Sequence, residues 1–270
     1  MTYCVAICLQ EGIVFLSDTR TNAGVDDIGL FRKMTIFQNK NNRLFSLLSS
    51  GNLAITQAVQ EILHQETLFE GMNLWTANST YDAAVVVGHA IRKVKERYQQ
   101  AFDDENMEFA CNFLFGGQVL GERPRLFHIY SAGNFLESTQ ETCYLQIGEA
   151  KYGKPILDRV LNYQTPIDLA TKCALISMDS TLKSNISVGL PLDLLVYQKD
   201  QFSLSKAVTI DEDNAYFKMI RNLWGQKLTE IVMSIQEPSW HLANNELSIT
   251  ASPSRLEPIP LVQEGSLKKT

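Results

Sequence analysis

Residues 2–20 read TYCVAICLQEGIVFLSDTR, and their pattern predicts the hairpin around which the rest of the chain is arranged. Two apolar runs rich in β-branched residues, 2–9 and 13–17, flank a turn at Glu11 and Gly12, which predicts a β-hairpin. Neither run alternates cleanly between apolar and polar residues, so we expect both faces of each strand to be covered. A polar segment that includes Asp18 comes after the second strand, and the hairpin returns it close to Thr2.

The rest of the chain alternates runs of predicted strands with pairs of predicted helices. Further strands are expected at 33–37, 44–49, 111–115, 126–130, 144–147 and 192–197. Apolar residues at helical spacing predict a helix from about Ile55, a second after Thr80 and a last one around Met219. Two more helices are expected over 155–163 and 166–182, each with proline in its first turn. This order favours antiparallel sheets packed together with helices outside.

The composition is that of an ordinary globular chain. Of 270 residues, 45% are hydrophobic and 20% are charged, which supports a buried core and argues against a disordered or fibrous chain. The net charge of −6 argues against a nucleic-acid partner, and no apolar run is long enough to span a membrane. The first residues lack the features of a signal peptide, so we expect a cytoplasmic protein.

The cysteines and histidines argue against a disulfide framework and against a metal site. The five cysteines are an odd number without a CxxC pair, which favours reduced, buried thiols. None of the four histidines stands at a metal-ligand spacing from another, and the common nucleotide-binding, zinc-protease and GxSxG motifs are absent from the sequence. We therefore expect neither a metal nor a cofactor.

Thr2 is the strongest candidate for chemistry. Removal of Met1 would leave Thr2 with a free α-amine, which titrates at about 7.7–8.0 and can serve as a general base for the neighbouring hydroxyl. Lys33, at the start of the third strand, could reach the same place as Asp18, where it would lower the pKa of the amine while Asp18 holds it. Taken singly, Asp18 and Arg20 are better explained by a surface ion pair, and Lys33 by a solvated strand end.

Taken together, these residues resemble the proteasome β-type subunits of the N-terminal nucleophile hydrolases. The match runs from Thr2 through Asp18, Arg20 and Gly24 to Lys33. Within that superfamily the sequence is most similar to the bacterial ancestral β subunit, Anbu, over roughly residues 2–240. The blocks that carry this resemblance are residues 2–6, 17–26, 31–34, 148–155 and 179–185.

The resemblance implies a fold and a set of site residues. The fold is a four-layer αββα sandwich of the α+β class, in one domain over 1–240, followed by a C-terminal tail at 241–270 that we expect to be loosely ordered. The implied catalytic residues are Thr2, Asp18, Lys33, Asp179 and Ser184. The implied substrate-binding and oxyanion-hole residues are Gly51, Arg20 and Asn22.

The sequence departs from the proteasome pattern at three places. The serine–glycine turn that helps to activate the threonine is replaced by Gly148-Glu149-Ala150-Lys151. The serine expected three residues after Asp179 is Leu182, which leaves Ser184 as the nearest candidate, in a longer loop. Asn22 stands where a threonine is expected to pair with the substrate backbone.

The leading hypothesis is an amide hydrolase that uses Thr2, and the resemblance implies a peptide or protein substrate. Two alternatives stay open: a self-assembling scaffold with little catalysis, and a non-proteolytic amidase that acts on a small amide. The resemblance also implies homo-oligomers, either rings or open spirals of one subunit type. Nothing in the sequence identifies an unfoldase partner.

Overall fold

The predicted N-terminal hairpin lies at the centre of a five-stranded sheet in the computed structural model, which describes residues 2–22, 28–65, 68–104, 108–204 and 206–236. The sheet has the order β10-β1-β2-β11-β12, and all neighbours are antiparallel. Its strands are β1 (Tyr3–Leu9), β2 (Gly12–Asp18), β10 (Tyr144–Gly148), β11 (Leu192–Gln198) and β12 (Lys206–Ile210). Every residue of β1 and β2 is buried, which confirms that both faces are covered.

A second five-stranded antiparallel sheet has its strands in the order of the sequence. Its strands are β5 (Met34–Asn39), β6 (Arg43–Gly51), β7 (Cys111–Val119), β8 (Arg125–Ile129) and β9 (Phe135–Glu137). A short hairpin of β3 (Arg20–Asn22) and β4 (Ile28–Leu30) lies between β2 and β5 in the chain.

Helices cover the outer face of each sheet. The helices α1 (Leu53–Gln65) and α2 (Thr80–Asp104) share an apolar core with the second sheet. The helices α3 (Ala150–Val160), α4 (Ile167–Ser184) and α5 (Ala215–Ser234) contribute to a core with the first sheet. The predicted αββα sandwich is therefore confirmed.

Alternation along β1 explains how one strand serves two cores. Tyr3, Val5 and Ile7 belong to the core beneath α3 and α4, while Cys4 and Ala6 belong to the core between the two sheets. Because successive side chains in a strand point to opposite faces, a run that is apolar at every position buries both faces. The second sheet contributes residues of β6, β7 and β8 to the core between the two sheets.

The structure corrects several element boundaries. Pro155 is the sixth residue of α3 and not part of its first turn, because the helix begins at Ala150. At that depth the proline removes an intrahelical hydrogen bond, which explains why the sequence pattern favoured a later start. The short strands β3, β4, β9 and β12 were not predicted, since segments of three to five residues with little alternation carry a weak signal.

The chain divides into two units, residues 1–227 and 228–270. The described part of the second unit, 228–236, consists of the end of α5 and two further residues, and it exposes several apolar side chains. The predicted tail at 241–270 lies outside the described residues, so the expected domain boundary at 240 stays a prediction. No helix in the described ranges combines the length and the apolar character needed to cross a membrane.

Candidate active site

The β1–β2 hairpin brings Asp18 to the beginning of β1. Cys4 pairs with Ser17 in the antiparallel register, so Asp18 comes level with Tyr3. The backbone N–H of Tyr3 donates a hydrogen bond to Asp18 Oδ1 at 3.1 Å. Asp18 therefore contacts the residue that comes directly after Thr2 in the chain.

Lys33 reaches the same carboxylate from the segment before β5. Its Nζ donates to Asp18 Oδ1 at 2.7 Å and to the Arg20 carbonyl oxygen at 2.5 Å. Asp18 is fully buried and Lys33 is 5% exposed. The two side chains thus have the juxtaposition that the hairpin argument predicts.

The environment of Asp18 contains opposing influences on its ionisation. Burial raises the pKa of the Asp18 carboxyl above its ordinary value, while the Lys33 ammonium lowers it. The backbone N–H groups of Tyr3 and Gly189 also favour the charged form, and Gly189 N lies 3.4 Å from Asp18 Oδ2. Removing any of these partners would leave a buried carboxylate less well compensated.

The end of β10 holds Thr2 from the other side. Tyr3 pairs with Gly148, and the Glu149 N–H donates to the Thr2 carbonyl oxygen at 2.8 Å. Gly148 has a φ of +81°, and a Cβ at this position would collide with the Thr2 carbonyl group. A glycine is therefore required for β10 to approach Thr2 this closely.

Thr2 lines a cleft of about 440 Å³ at one end of the two sheets. The charged residues of the lining are Lys33 and Glu149. The other residues that line the cleft are Thr21, Ser49, Ser50, Gly51, Leu53, Thr56, Asn112 and Gly148. Its mixture of hydroxyl, amide, charged and apolar groups is typical of a small-molecule or peptide site.

Gly51, the residue expected to contribute to an oxyanion hole, lies in this cleft at the end of β6. Its φ is +109°, and a Cβ would collide with the backbone of Ala110. The glycine allows the chain to turn from β6 towards α1 while its backbone borders the cleft.

Arg20 and Asn22 were expected to contact substrate. The Arg20 guanidinium contacts the loop after α4, where its Nη1 donates to the Ile186 carbonyl oxygen at 2.9 Å. It also packs against Gly189, where a Cβ would collide with the guanidinium group. The backbone of Asn22 belongs to β3, but its side chain lies outside the described part of the structure, and the neighbouring Thr21 lines the cleft.

Asp179 and Ser184 do not line the cleft. Asp179 lies within α4 and accepts a hydrogen bond from Arg221 Nε at 2.7 Å. Ser184 is the last residue of α4, so the loop expected there begins only at Asn185. That loop reaches the site through the Gly189 N–H, a contact that the residue pattern did not indicate.

Glu149 and Asn112 also line the cleft, although the sequence pattern predicts a role for neither. The substitution at the serine–glycine turn was the signal that could have drawn attention to Glu149. Asn112 Oδ1 lies 3.1 Å from His128 Nε2, so a neighbouring side chain helps to orient the amide.

The cysteines confirm the expectation of reduced, buried thiols. All five are free and buried: Cys4, Cys8, Cys111, Cys143 and Cys173. Burial raises the pKa of the Cys111 and Cys173 thiols to about 11, which keeps them protonated near neutral pH.

The similar proteins reported below are all solved structures of one family. No protein-family model matches the chain, and neither does any curated protein. Among solved structures, Anbu (ancestral β-subunit) from Yersinia bercovieri is 50% identical with a TM-score of 0.82, over 88% of this chain and 99% of that chain.

Two other structures are similar over comparable lengths. The Gly-1 mutant of Anbu from Hyphomicrobium sp. strain MC1 is 46% identical with a TM-score of 0.82, over 88% of this chain and 99% of that one. A structure described as the helical assembly of the Anbu complex from Pseudomonas aeruginosa is 44% identical with a TM-score of 0.83, over 87% of this chain and 98% of that one. The chain therefore belongs to the Anbu family of proteasome-like β subunits.

Proposed function

We propose that the chain is a threonine-type N-terminal nucleophile amide hydrolase whose substrates are peptides. The observation that carries this proposal is the placement of Thr2 in a cleft beside a buried Asp18–Lys33 ion pair. A buried charge pair is costly to build, and clefts that contain one are often functional sites.

The proposed reaction begins when the peptide bond before Thr2 is cleaved, which frees the α-amine. The Thr2 hydroxyl attacks the substrate carbonyl carbon while the α-amine accepts the hydroxyl proton, directly or through water. The Gly51 N–H donates to the developing oxyanion. The α-amine then passes the proton to the amine of the substrate, which leaves as the acyl-enzyme forms. Water then hydrolyses the ester and restores Thr2.

Lys33 and Asp18 would support this chemistry electrostatically. The Lys33 cation favours the neutral form of a nearby amine, since a like charge disfavours protonation. Asp18 holds Lys33 in position through the 2.7 Å contact and is itself fixed by the Tyr3 N–H.

Mass spectrometry of the intact protein tests the nucleophile. A peptide epoxyketone, which reacts with the hydroxyl and amine of an N-terminal threonine, should add once to protein that begins at Thr2. Thr2→Ser should retain the adduct, Thr2→Ala should lose it, and Thr56→Val should keep it as a control for a second threonine in the cleft. An adduct that persists in Thr2→Ala would contradict the proposed nucleophile.

The second part of the proposal is that copies of the chain associate with one another. The Pseudomonas aeruginosa relative is described as a helical assembly. In this chain, α4 and α5 border an apolar groove of about 570 Å³, and Tyr216, Met219 and Leu223 are each more than two-fifths exposed there. An exposed apolar surface of this kind is typical of a protein–protein interface, and we propose that a second copy of the chain covers it.

The alternative of a self-assembling scaffold with little catalysis can be tested by measuring assembly and the Thr2 adduct on the same protein. If assembly occurs but Thr2 never forms an adduct, the protein acts through its assembly alone. A panel of peptide and small-amide substrates separates a peptidase from a non-proteolytic amidase, since both would react at Thr2.

A further inference from the structure

Glu149 contributes a carboxylate to the cleft next to Thr2. It is the residue before α3, and its N–H donates to the Thr2 carbonyl oxygen. Its side chain is only 13% exposed, although it carries a charge. The carboxylate does not cap α3, because no hydrogen bond joins this side chain to the first turn of the helix.

The charges in the described cleft lining leave this carboxylate under-compensated. Lys33 donates instead to Asp18 and to the Arg20 carbonyl group. Glu149 Oε2 is buried and has no hydrogen-bond partner. Lys151 Nζ forms an ion pair with this oxygen at 3.6 Å, beyond hydrogen-bond length, and water screens the pair because the Lys151 side chain is 69% exposed. A buried carboxylate oxygen without a hydrogen bond carries a desolvation cost, which a cation that donates a hydrogen bond to it would offset more fully than Lys151 does.

A new cation can arise in the same cleft at the nitrogen of Thr2. Cleavage before Thr2 converts its amide nitrogen into an amine that is an ammonium ion below its pKa. Thr2 and Glu149 continue the β1–β10 pairing by one residue beyond Tyr3 and Gly148. Residues that face each other in this way bring their backbone atoms within a few ångströms.

We propose that the Glu149 carboxylate holds the α-ammonium group of Thr2 through a charge-assisted hydrogen bond and thereby positions the candidate base. This inference rests on the proposed function only in requiring that Thr2 become N-terminal. A carboxylate beside the amine stabilises its protonated form, whereas Lys33 destabilises it. The balance between Glu149 and Lys33 would then set the pH above which the amine is free to accept the hydroxyl proton.

Titration of the Thr2 amine tests the proposal without relying on catalysis. Protein with Thr2 at its N-terminus is prepared by proteolytic removal of a fusion partner. The rate of acetylation of the α-amine by trace acetic anhydride is then measured against pH by mass spectrometry of the N-terminal peptide. Glu149→Gln should lower the titration midpoint by about one pH unit, since an opposite charge is lost.

Two further variants keep the result interpretable. Glu149→Asp keeps the charge on a shorter side chain, so its midpoint should lie between those of the wild type and Glu149→Gln. Lys151→Gln removes an exposed cation next to the same carboxylate, so its midpoint should stay unchanged or rise. A fall in Lys151→Gln as large as that in Glu149→Gln would overturn the proposal.

The outcomes also distinguish this inference from the proposed hydrolase activity. An unchanged midpoint in Glu149→Gln overturns the role of Glu149, even where the Thr2 adduct still forms. If that variant instead loses only its preference for peptides with a basic residue, the partner of Glu149 is a substrate cation and the proposal is wrong. A shifted midpoint in a protein that never forms the adduct supports the role of Glu149 and contradicts the hydrolase.

Discussion

At the scale of single residues, the site depends on a charge pair that is costly to bury and costly to break. Asp18 is fully buried, and its charged form is supported by Lys33 and by two backbone N–H groups. A carboxylate in such a place resists protonation only while these partners remain, because burial by itself raises its pKa. The pair therefore links the stability of the fold to the electrostatics of the cleft.

We predict that Lys33→Met destabilises the protein by about 3–5 kcal/mol, the range expected when a buried ion pair loses one partner. Loss of Lys33 raises the pKa of Asp18 further, since Lys33 opposes the effect of burial. A buried carboxyl group with a raised pKa destabilises the fold at pH values above that pKa, where it is ionised. The destabilisation decreases as the pH falls and the carboxyl group becomes protonated. The free energies of unfolding of Lys33→Met and the wild type, measured by urea denaturation, should therefore differ less at acid pH than at neutral pH.

A double variant separates stability from chemistry. Asp18→Asn/Lys33→Met replaces both charges, so most of the stability lost in Lys33→Met should return. The epoxyketone adduct should be absent from both variants, because each lacks the Lys33 cation that favours the neutral Thr2 amine. Recovery of the adduct in the double variant would show that the Lys33 charge is not needed for the reaction of Thr2.

We predict that all five thiols are unreactive in the folded protein. Burial raises the pKa of Cys8 to about 12 and those of Cys111 and Cys173 to about 11, and it also raises the pKa values of Cys4 and Cys143. The reactive thiolate is therefore scarce near neutral pH, in addition to being inaccessible. Ellman's reagent should titrate five thiols in guanidinium chloride and almost none in native buffer; a fast native phase would contradict the burial.

At the scale of elements, the candidate site depends on how closely β10 approaches the start of β1. Gly148 combines a positive φ with backbone contact to Thr2, and it precedes both Glu149 and the first turn of α3. The pairing of these two strands thus sets the position of Thr2 and of a cleft carboxylate together.

We predict that Gly148→Ala abolishes the epoxyketone adduct and lowers stability, since its Cβ meets the Thr2 carbonyl group at a φ that alanine rarely adopts. Gly225→Ala provides the matched control. Gly225 lies in α5, and no atom of another described element lies within 4 Å of its added Cβ. Alanine favours helices by up to about 1 kcal/mol over glycine. The control should therefore retain the adduct and melt at or above the wild-type temperature.

At the scale of the whole molecule, the proposed self-association would use the apolar groove between α4 and α5. The exposed atoms that line the α4–α5 groove are mostly apolar, and the lining also includes Lys172 and Lys227. Association with a similar apolar surface removes both surfaces from water, which is energetically favourable.

We predict that Leu223→Glu disrupts self-association, because it puts a charge into the lining of the groove. Sedimentation velocity should show smaller species, with an unchanged far-ultraviolet circular dichroism spectrum. Leu120→Glu changes another exposed leucine, in the turn after β7 and outside the groove, and should assemble as the wild type does. Normal assembly of Leu223→Glu would place the interface elsewhere.

The sequence by itself determined the features that depend on neighbours along the chain. The β1–β2 hairpin, the stripes of α1 and α2, and the spacing of Thr2, Asp18 and Lys33 could all be interpreted from local pattern, because strand and helix periods repeat within a few residues. The resemblance to the family rested on the same short blocks, and it predicted the four layers correctly.

Only the tertiary structure decided which distant residues meet at the cleft. Glu149 lies beside Thr2 because β10 pairs with β1, and Gly189 reaches Asp18 because β11 pairs with β2. Asp179 accepts a hydrogen bond from Arg221 of α5 and does not line the cleft. Strand pairing between segments more than a hundred residues apart depends on the packing of the whole sandwich, which no local period encodes.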